Sequence, residues 1–314
     1  MILSKEKVIL EKLSFKFCWF NFMKNIIVIT GGAGFVGSHL LEFLLKKTKY
    51  QIISYDNYST GTKKNHFKSK RITYIKANTI NISKVLNKRK NNIQTIFHFG
   101  EFARIYQSFL KMNECIESNS IGTHAVIKFC MENKIKLIYS ATSATLGNNG
   151  EDKNLSPYAF TKSKNLELLN NLKKWFNFKF EIIYFYNVYG PRQISKGSMA
   201  TVIGIFEDCF KNNKPLTVVR PGTQSRRFTH ILDTVEVCYE AWKNNKDRHY
   251  SISNKKSYSI IDVAKLFKTK IKFLPLRKGE RFASALTNMN LSNKVYKKYG
   301  KIDLKDYINS VIKN

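Results

Sequence analysis

Tyr158 and Lys162 stand four residues apart in a stretch with a helical pattern, so both side chains project from one face of one helix. A free phenol has a pKa of about 10, and a neighbouring ammonium favours its ionised form, which makes a tyrosine a usable general base near neutral pH. In a chain this rich in lysine the spacing alone is cheap, and Tyr239 and Lys243 repeat it. Context separates the two pairs. Tyr158 opens its helix soon after a strand-like run at 136–140 and its loop, which aims it at the strand ends, whereas the second pair reads as a surface helix.

A second chemical feature follows the first strand-like run: Gly32-Ala33-Gly34-Phe35-Val36-Gly37, inside TGGAGFVGSHL, which begins at Thr30 and includes Gly31. Glycines there allow a tight turn and close backbone approach to a pyrophosphate, and the helix that follows turns its amide-rich N-terminus toward the phosphates. Asp56 closes the next strand about 20 residues later, where a carboxylate accepts hydrogen bonds from ribose hydroxyls and repels a 2′-phosphate. NAD is thereby favoured over NADP.

The elements that must hold these residues come from hydrophobic periodicity. IIVIT (26–30), QIISY (51–55), ITYIK (72–76), TIFHF (95–99), KLIYS (136–140) and FEIIYF (180–185) read as strands, with helical stretches at 36–47, 108–132 and 157–176. That alternation predicts a parallel sheet covered by helices on both faces, with its binding site at the carboxyl ends of the strands. Beyond Pro191 the rhythm breaks, and prolines at 215, 221 and 275, short strands and one helix around 232–244 suggest a smaller lobe. HYSIS (249–253) is strand-like and suited to return to the main sheet. A second ligand would sit in the cleft between interleaved lobes.

Composition bounds the alternatives. A hydrophobic content of 43% over 314 residues supports a folded, enzyme-sized body and excludes a disordered chain. Lys plus Arg number 54 against 22 Asp plus Glu, a formal charge of +32 that invites a polyanion-binding reading. The basic residues are mostly lysines, spread from Lys5 to Lys313 among many Asn and Ile, which favours compositional bias over a nucleic-acid arm. Five scattered cysteines (Cys18, Cys115, Cys130, Cys209, Cys238) show neither a CxxC pair nor metal-ligand spacing, which fits a reducing cytosol and no bound metal. No apolar run approaches the roughly 20 residues that span a bilayer. Residues 1–22 precede a second methionine, Met23, and read as a poorly ordered extension, with a lipid-touching amphipathic helix as the other possibility.

TGGAGFVG followed by YDNYSTG (55–61) resembles the extended short-chain dehydrogenase/reductases, the NAD-dependent epimerases and dehydratases, especially UDP-glucose 4-epimerases, from about Met23 to the C-terminus. The resemblance implies a Rossmann-type doubly wound α/β sheet with a smaller C-terminal substrate-binding lobe. The NAD-binding part would be 23–190 plus about 228–253, and the lobe about 191–227 plus 254–314. It implies NAD contacts from Gly31, Gly34, Phe35, Val36 and Gly37, from Asp56, Asn57 and Asn78 at the adenosine end, and from Phe99, Gly100, Asn119, Tyr158, Lys162 and Tyr186 toward the nicotinamide. Lys162 would hold the ribose hydroxyls. YSATSATLG (139–147) aligns with the family's serine/threonine loop and places Thr142 beside the reacting sugar hydroxyl, completing a catalytic trio with Tyr158 and Lys162. Two departures stand out: Asn78 where relatives usually carry Asp, and Glu101 where a small residue is common.

For the substrate, NVYGPRQ (187–193), KPLTVV (214–219), QSRRFTHILD (224–233) and LRKGE (276–280) follow the family's order, with Asn187, Arg226 and Arg277 contacting a nucleoside-diphosphate sugar. Relatives mostly have Asp where Arg227 stands. Dehydratases usually follow the loop threonine with Asp-Glu; here the residues are Ser143 and Ala144, so oxidation and re-reduction is the simplest remaining chemistry. The leading expectation is a cytoplasmic, homodimeric 4-epimerase acting on a UDP-hexose. Epimerases of UDP-hexuronate or ADP-heptose type and a dehydratase on the same scaffold stay open, as does a noncatalytic NAD-binding or polyanion-binding protein, which an intact Thr142, Tyr158 and Lys162 argue against.

Overall fold

The computed structural model describes residues 24–246, 249–279 and 295–313. The extension 1–22 lies outside the described residues. Six strands open the chain: β1 (Ile26–Thr30), β2 (Gln51–Asp56), β3 (Ile72–Lys76), β4 (Ile93–His98), β5 (Lys136–Thr142) and β6 (Phe180–Phe185). Four short ones follow, β7 (Val188–Tyr189), β8 (Leu216–Val219), β9 (Ser225–Arg227) and β10 (Thr229–His230), then β11 (His249–Ser253), β12 (Ser257–Ser259), β13 (Ile271–Leu274) and β14 (Val295–Tyr299). The main sheet has eight parallel strands in the order β14-β11-β6-β5-β4-β1-β2-β3. The order reverses at β1, which puts a crevice at the carboxyl ends of β1 and β4.

Two apolar layers sandwich the sheet. Helices 123–132 and 157–176 pack Val126, Phe129, Leu169 and Leu172 against one face, and helices 35–47 and 231–243 pack Leu40, Leu44, Val235 and Cys238 against the other. The central strands are buried almost throughout, β1 as IIVIT and β6 as FEIIYF, as coverage of both faces requires. Each fully buried side chain such as Ile27 or Ile138 contributes about 2 kcal/mol. The helix Pro157–Phe176 begins where Ser156 accepts a hydrogen bond from Ala159 N, has Pro157 in its first turn, and ends at Asn177 in the left-handed region, φ 49°.

The structure corrects one expectation. The stretch 108–132 is not one helix: Ile105–Leu110 and Met112–Ile116 are short, and a wide π turn, Glu117–Gly122, precedes Thr123–Glu132. That turn carries Asn119 inward, and a Cβ on Gly122 would lie 2.4 Å from Thr79 Oγ1, so a larger residue there has to turn that hydroxyl aside. The helix at 231–243 covers β6 of the main sheet and leads into β11, which pairs with β6 and so returns HYSIS to that sheet. A separate core gathers Tyr189, Phe206, Val218, Phe228, Val263 and Phe267, built by helices 202–211, 260–266 and 304–313, which no strong sequence signal announced.

Candidate active site

The turn after β1 is built by backbone contacts. Gly31 sits at φ +70°, and a Cβ on it would lie 2.9 Å from Gly100 N. A Cβ on Gly37 would lie 2.1 Å from the Gly31 carbonyl oxygen, so the first turn of helix 35–47 can press against the loop only as glycine. That helix starts at Gly34 with no side-chain cap and no acid in its first turn, so its amides face an anion without competition. Asp56 is buried at the end of β2; its Oδ2 accepts from Ala33 N at 2.9 Å and its Oδ1 from Tyr58 N at 2.7 Å. Burial pushes this carboxyl upward, and those backbone donors oppose the shift. Asn57 is exposed beside it, turned to Ser59 N. Asn78 accepts from Ile80 N, and its carbonyl accepts from the Tyr55 hydroxyl at 2.8 Å. Phe99 and Gly100 are fixed by Thr30 Oγ1, which accepts from both of their amides.

Next to this crevice the structure gathers the reactive candidates. Thr142 ends β5, its Oγ1 accepting from Ala144 N at 3.1 Å, and only 7% of it is exposed. Tyr158 lies on the first turn of helix 157–176, packed with Phe102, Ala144 and Ala159, its amide donating to Ser108 Oγ. One turn on, Lys162 is buried and donates to Ser140 O at 2.6 Å, two residues before Thr142, which ties helix to strand. Asn119 is fully buried, exchanging hydrogen bonds with both backbone groups of Phe102.

Several partners escaped the sequence. Glu101 is drawn in with its side chain 2% exposed, ion-paired to Lys162 and bonded by Thr123, Tyr139 and Ser140. Burial pushes the Lys162 ammonium below the usual lysine range, and Glu101 opposes that. Arg104 donates to Met199 O and interacts electrostatically with Tyr158, a second cation near the phenol. Nothing in spacing marks Arg104, since it reaches the site through a loop that precedes a six-residue helix. Tyr186, expected on the cofactor, commits its ring to the main core and pairs its hydroxyl with Ser251. The repeated pair lies apart: Tyr239 is partly buried against Phe43 and Trp242, so it is not the surface helix expected, with exposed Lys243 over its ring.

A sequence profile of the NAD dependent epimerase/dehydratase family matches residues 27–253. The chain belongs to that family. An uncharacterised UDP-glucose epimerase of Bacillus subtilis is 32% identical over 232 residues, 67% of this chain and 70% of the relative. An ADP-L-glycero-D-manno-heptose-6-epimerase of Brachyspira hyodysenteriae is 29% identical over 295 residues, 89% and 90% of the two chains. Among solved structures, the UDP-glucose 4-epimerase of Thermotoga maritima superposes with a TM-score of 0.81 at 21% identity, covering 92% of this chain and 97% of its own. The cofactor of this NAD-dependent family is NAD, and the uncapped helix start, the glycine contacts and the absence of an acid in the first turn fit its pyrophosphate.

The family's remaining segments are placed as follows. Asn187, at φ 33°, donates to Arg227 O at 2.8 Å, joining the turn after β6 to β9. Arg192 of the same segment reaches back to Glu42 and His39 on helix 35–47. Arg226 is buried on β9, paired in register with Tyr258 of β12. Arg277 lies over the Tyr106 ring, on a loop where a Cβ on Gly279 would come within 2.6 Å of Phe109. The loop is therefore pressed onto helix 105–110, just before Tyr158's neighbours. Ser143 and Ala144 are both buried behind Thr142. Among the described residues no cluster of His, Cys, Asp or Glu could hold a metal ion, and no helix is long and apolar enough to cross a membrane.

Proposed function

We propose that this chain is an NAD-dependent nucleotide-sugar epimerase, with a UDP-hexose oxidised and re-reduced at C4 as the leading substrate reading. The observation that carries it is the pairing of Tyr158 and Lys162 on helix 157–176 beside Thr142, with Ser143 and Ala144 where elimination would need carboxylates. Glu101, the carboxylate drawn in nearby, turns its oxygens to Lys162, Thr123 and Tyr139, so it is not disposed to move a proton on a sugar. Bound NAD would supply a hydride acceptor for the carbinol carbon and, once the keto sugar has turned over, a hydride donor to the opposite face of its carbonyl. Tyr158 would take the hydroxyl proton and give it back, Thr142 would hold that oxygen as it becomes a carbonyl, and Lys162 would favour phenolate and bind the nicotinamide ribose. Arg226, Arg277 and Asn187 would hold the diphosphate in a lobe of about 191–227 plus 254–314, for which the separate core around Phe206 and Phe267 is the support.

A second reading, a heptose epimerase, is favoured by the length of the match to the Brachyspira enzyme, which spans nearly the whole chain. The residue roles would stand and the oxidised carbon would change. The test is incubation with C4-deuterated UDP-glucose, reading label by NMR and NADH by absorbance. Epimerisation with deuterium retained at C4 and no net NADH is expected. Label moved to C6, or NADH formed in proportion to product, would overturn the epimerase. Turnover of an ADP-heptose and not of UDP-glucose would select the second reading.

A further inference from the structure

Glu101 is a buried acid at the heart of the site, and its surroundings are built for it. Oε1 accepts from the Thr123 hydroxyl at 2.9 Å and the Tyr139 hydroxyl at 3.1 Å; Oε2 accepts from the Lys162 ammonium and lies 3.3 Å from Ser140 Oγ. A carboxylate offers about four lone-pair sites, so its capacity is nearly filled by protein. Donor counting extends the chain behind it. Thr30 Oγ1 accepts from two amides, so its own hydrogen goes to His98 Nδ1 at 2.7 Å. His98 then donates from Nε2 to Thr123 Oγ1 at 2.9 Å, which leaves the Thr123 hydrogen for Glu101. Thr30, the residue that fixes the Phe99–Gly100 amides, is thus linked to Lys162 by a run of hydrogen bonds that all point toward one anion.

Lys162 has three N–H donors. Ser140 O and Glu101 take two, and Ser140 Oγ lies 3.4 Å from the same nitrogen. The groups facing the ammonium are Glu101, the Tyr139 ring at 4.8 Å and Ser140 from β5, His98 from β4, and Cys115 from helix 112–116. Glu101 is the anion among these named groups, and a fully enclosed ammonium without one tends to shed its proton.

We propose that Glu101 is a positioning residue that holds Lys162 protonated and aimed whether or not the cofactor is bound, so that the charge Tyr158 depends on is part of the fold. This rests on the roles given above to Tyr158 and Lys162, but its test needs no sugar and no turnover. NAD is titrated calorimetrically into nucleotide-free protein from about pH 6.5 to about pH 9, every arm carrying Tyr158→Phe so that the phenol's own titration is absent. With Glu101 intact, the NAD Kd should change by less than about twofold over that range; with Glu101→Gln, which keeps shape and loses charge, it should weaken by about tenfold or more as pH rises. Glu101→Asp, which keeps charge and loses shape, should restore the flat profile at lower affinity. A purely structural residue predicts the reverse order, with Gln the milder change. A flat Gln profile, an Asp profile as steep as Gln, or a steep profile with Glu101 intact would each overturn the proposal; the last decides even if the Gln variant does not fold.

Discussion

The glycine turn and the Tyr158–Lys162 cluster occupy neighbouring strand ends but are made of different material. The turn is backbone: Gly31 and Gly37 touch main chain, and Asp56 spends its oxygens on the amides of Ala33 and Tyr58. The cluster is side chain: Thr30, His98, Glu101, Thr123, Tyr139, Ser140 and Lys162 satisfy one another from separate elements. A backbone-built site tolerates few substitutions but asks little of distant sequence. A side-chain network can be tuned residue by residue, at the cost that a half-satisfied member is worse than an apolar one.

The largest effect should break the comparison on the side-chain side without touching the other. Tyr158→Phe is expected to lose at least about a hundredfold in turnover while NAD binding persists, and steady-state kinetics with an NAD titration reads both. The control Tyr239→Phe should keep full turnover, because that ring packs against Phe43 and Trp242. Near-normal turnover of the first variant would remove Tyr158 as the base.

The opposite break comes from Gly37→Ala. A Cβ 2.1 Å from the Gly31 carbonyl must displace backbone, so NAD affinity should fall by about tenfold or more, with a lower melting temperature. Unchanged NAD affinity would mean that the turn is not the pyrophosphate site.

The smallest expected effect sharpens the contrast through pH. Burial pushes His98 from the usual 6.5 to about 4, and His39 on helix 35–47 is pushed to about 4 as well. A histidine with a depressed folded pKa adds no pH dependence above its unfolded value. As pH falls from 6.5 toward 4 the unfolded chain takes up protons that the folded chain refuses, so stability declines through that window. Thermal melts across it should show a steadily falling melting temperature, and His98→Gln should lessen the slope. A melting temperature independent of pH there would mean that His98 is not held neutral by the network.

By itself the sequence determined seven of the eight sheet strands, the helix 157–176 and the NAD turn, because each is written in residues close together: strands in short β-branched runs, the helix in Ser156-Pro157 and a terminal Asn177, the turn in glycines a few positions apart, whereas the edge strand β14 carried no such signal. It separated Tyr158 from Tyr239 by their positions relative to a strand, although not the packing of the second. It marked Glu101 as out of place without saying where its carboxylate went. Tertiary structure alone decided that, since its partners lie 22, 38, 39 and 61 residues away and meet only once four elements are packed. The broken stretch at 105–132 and the helices of the second core were likewise decided by packing: a π turn or a seven-residue amphipathic helix is stabilised by what it covers, and that surface is supplied by chain far away in sequence.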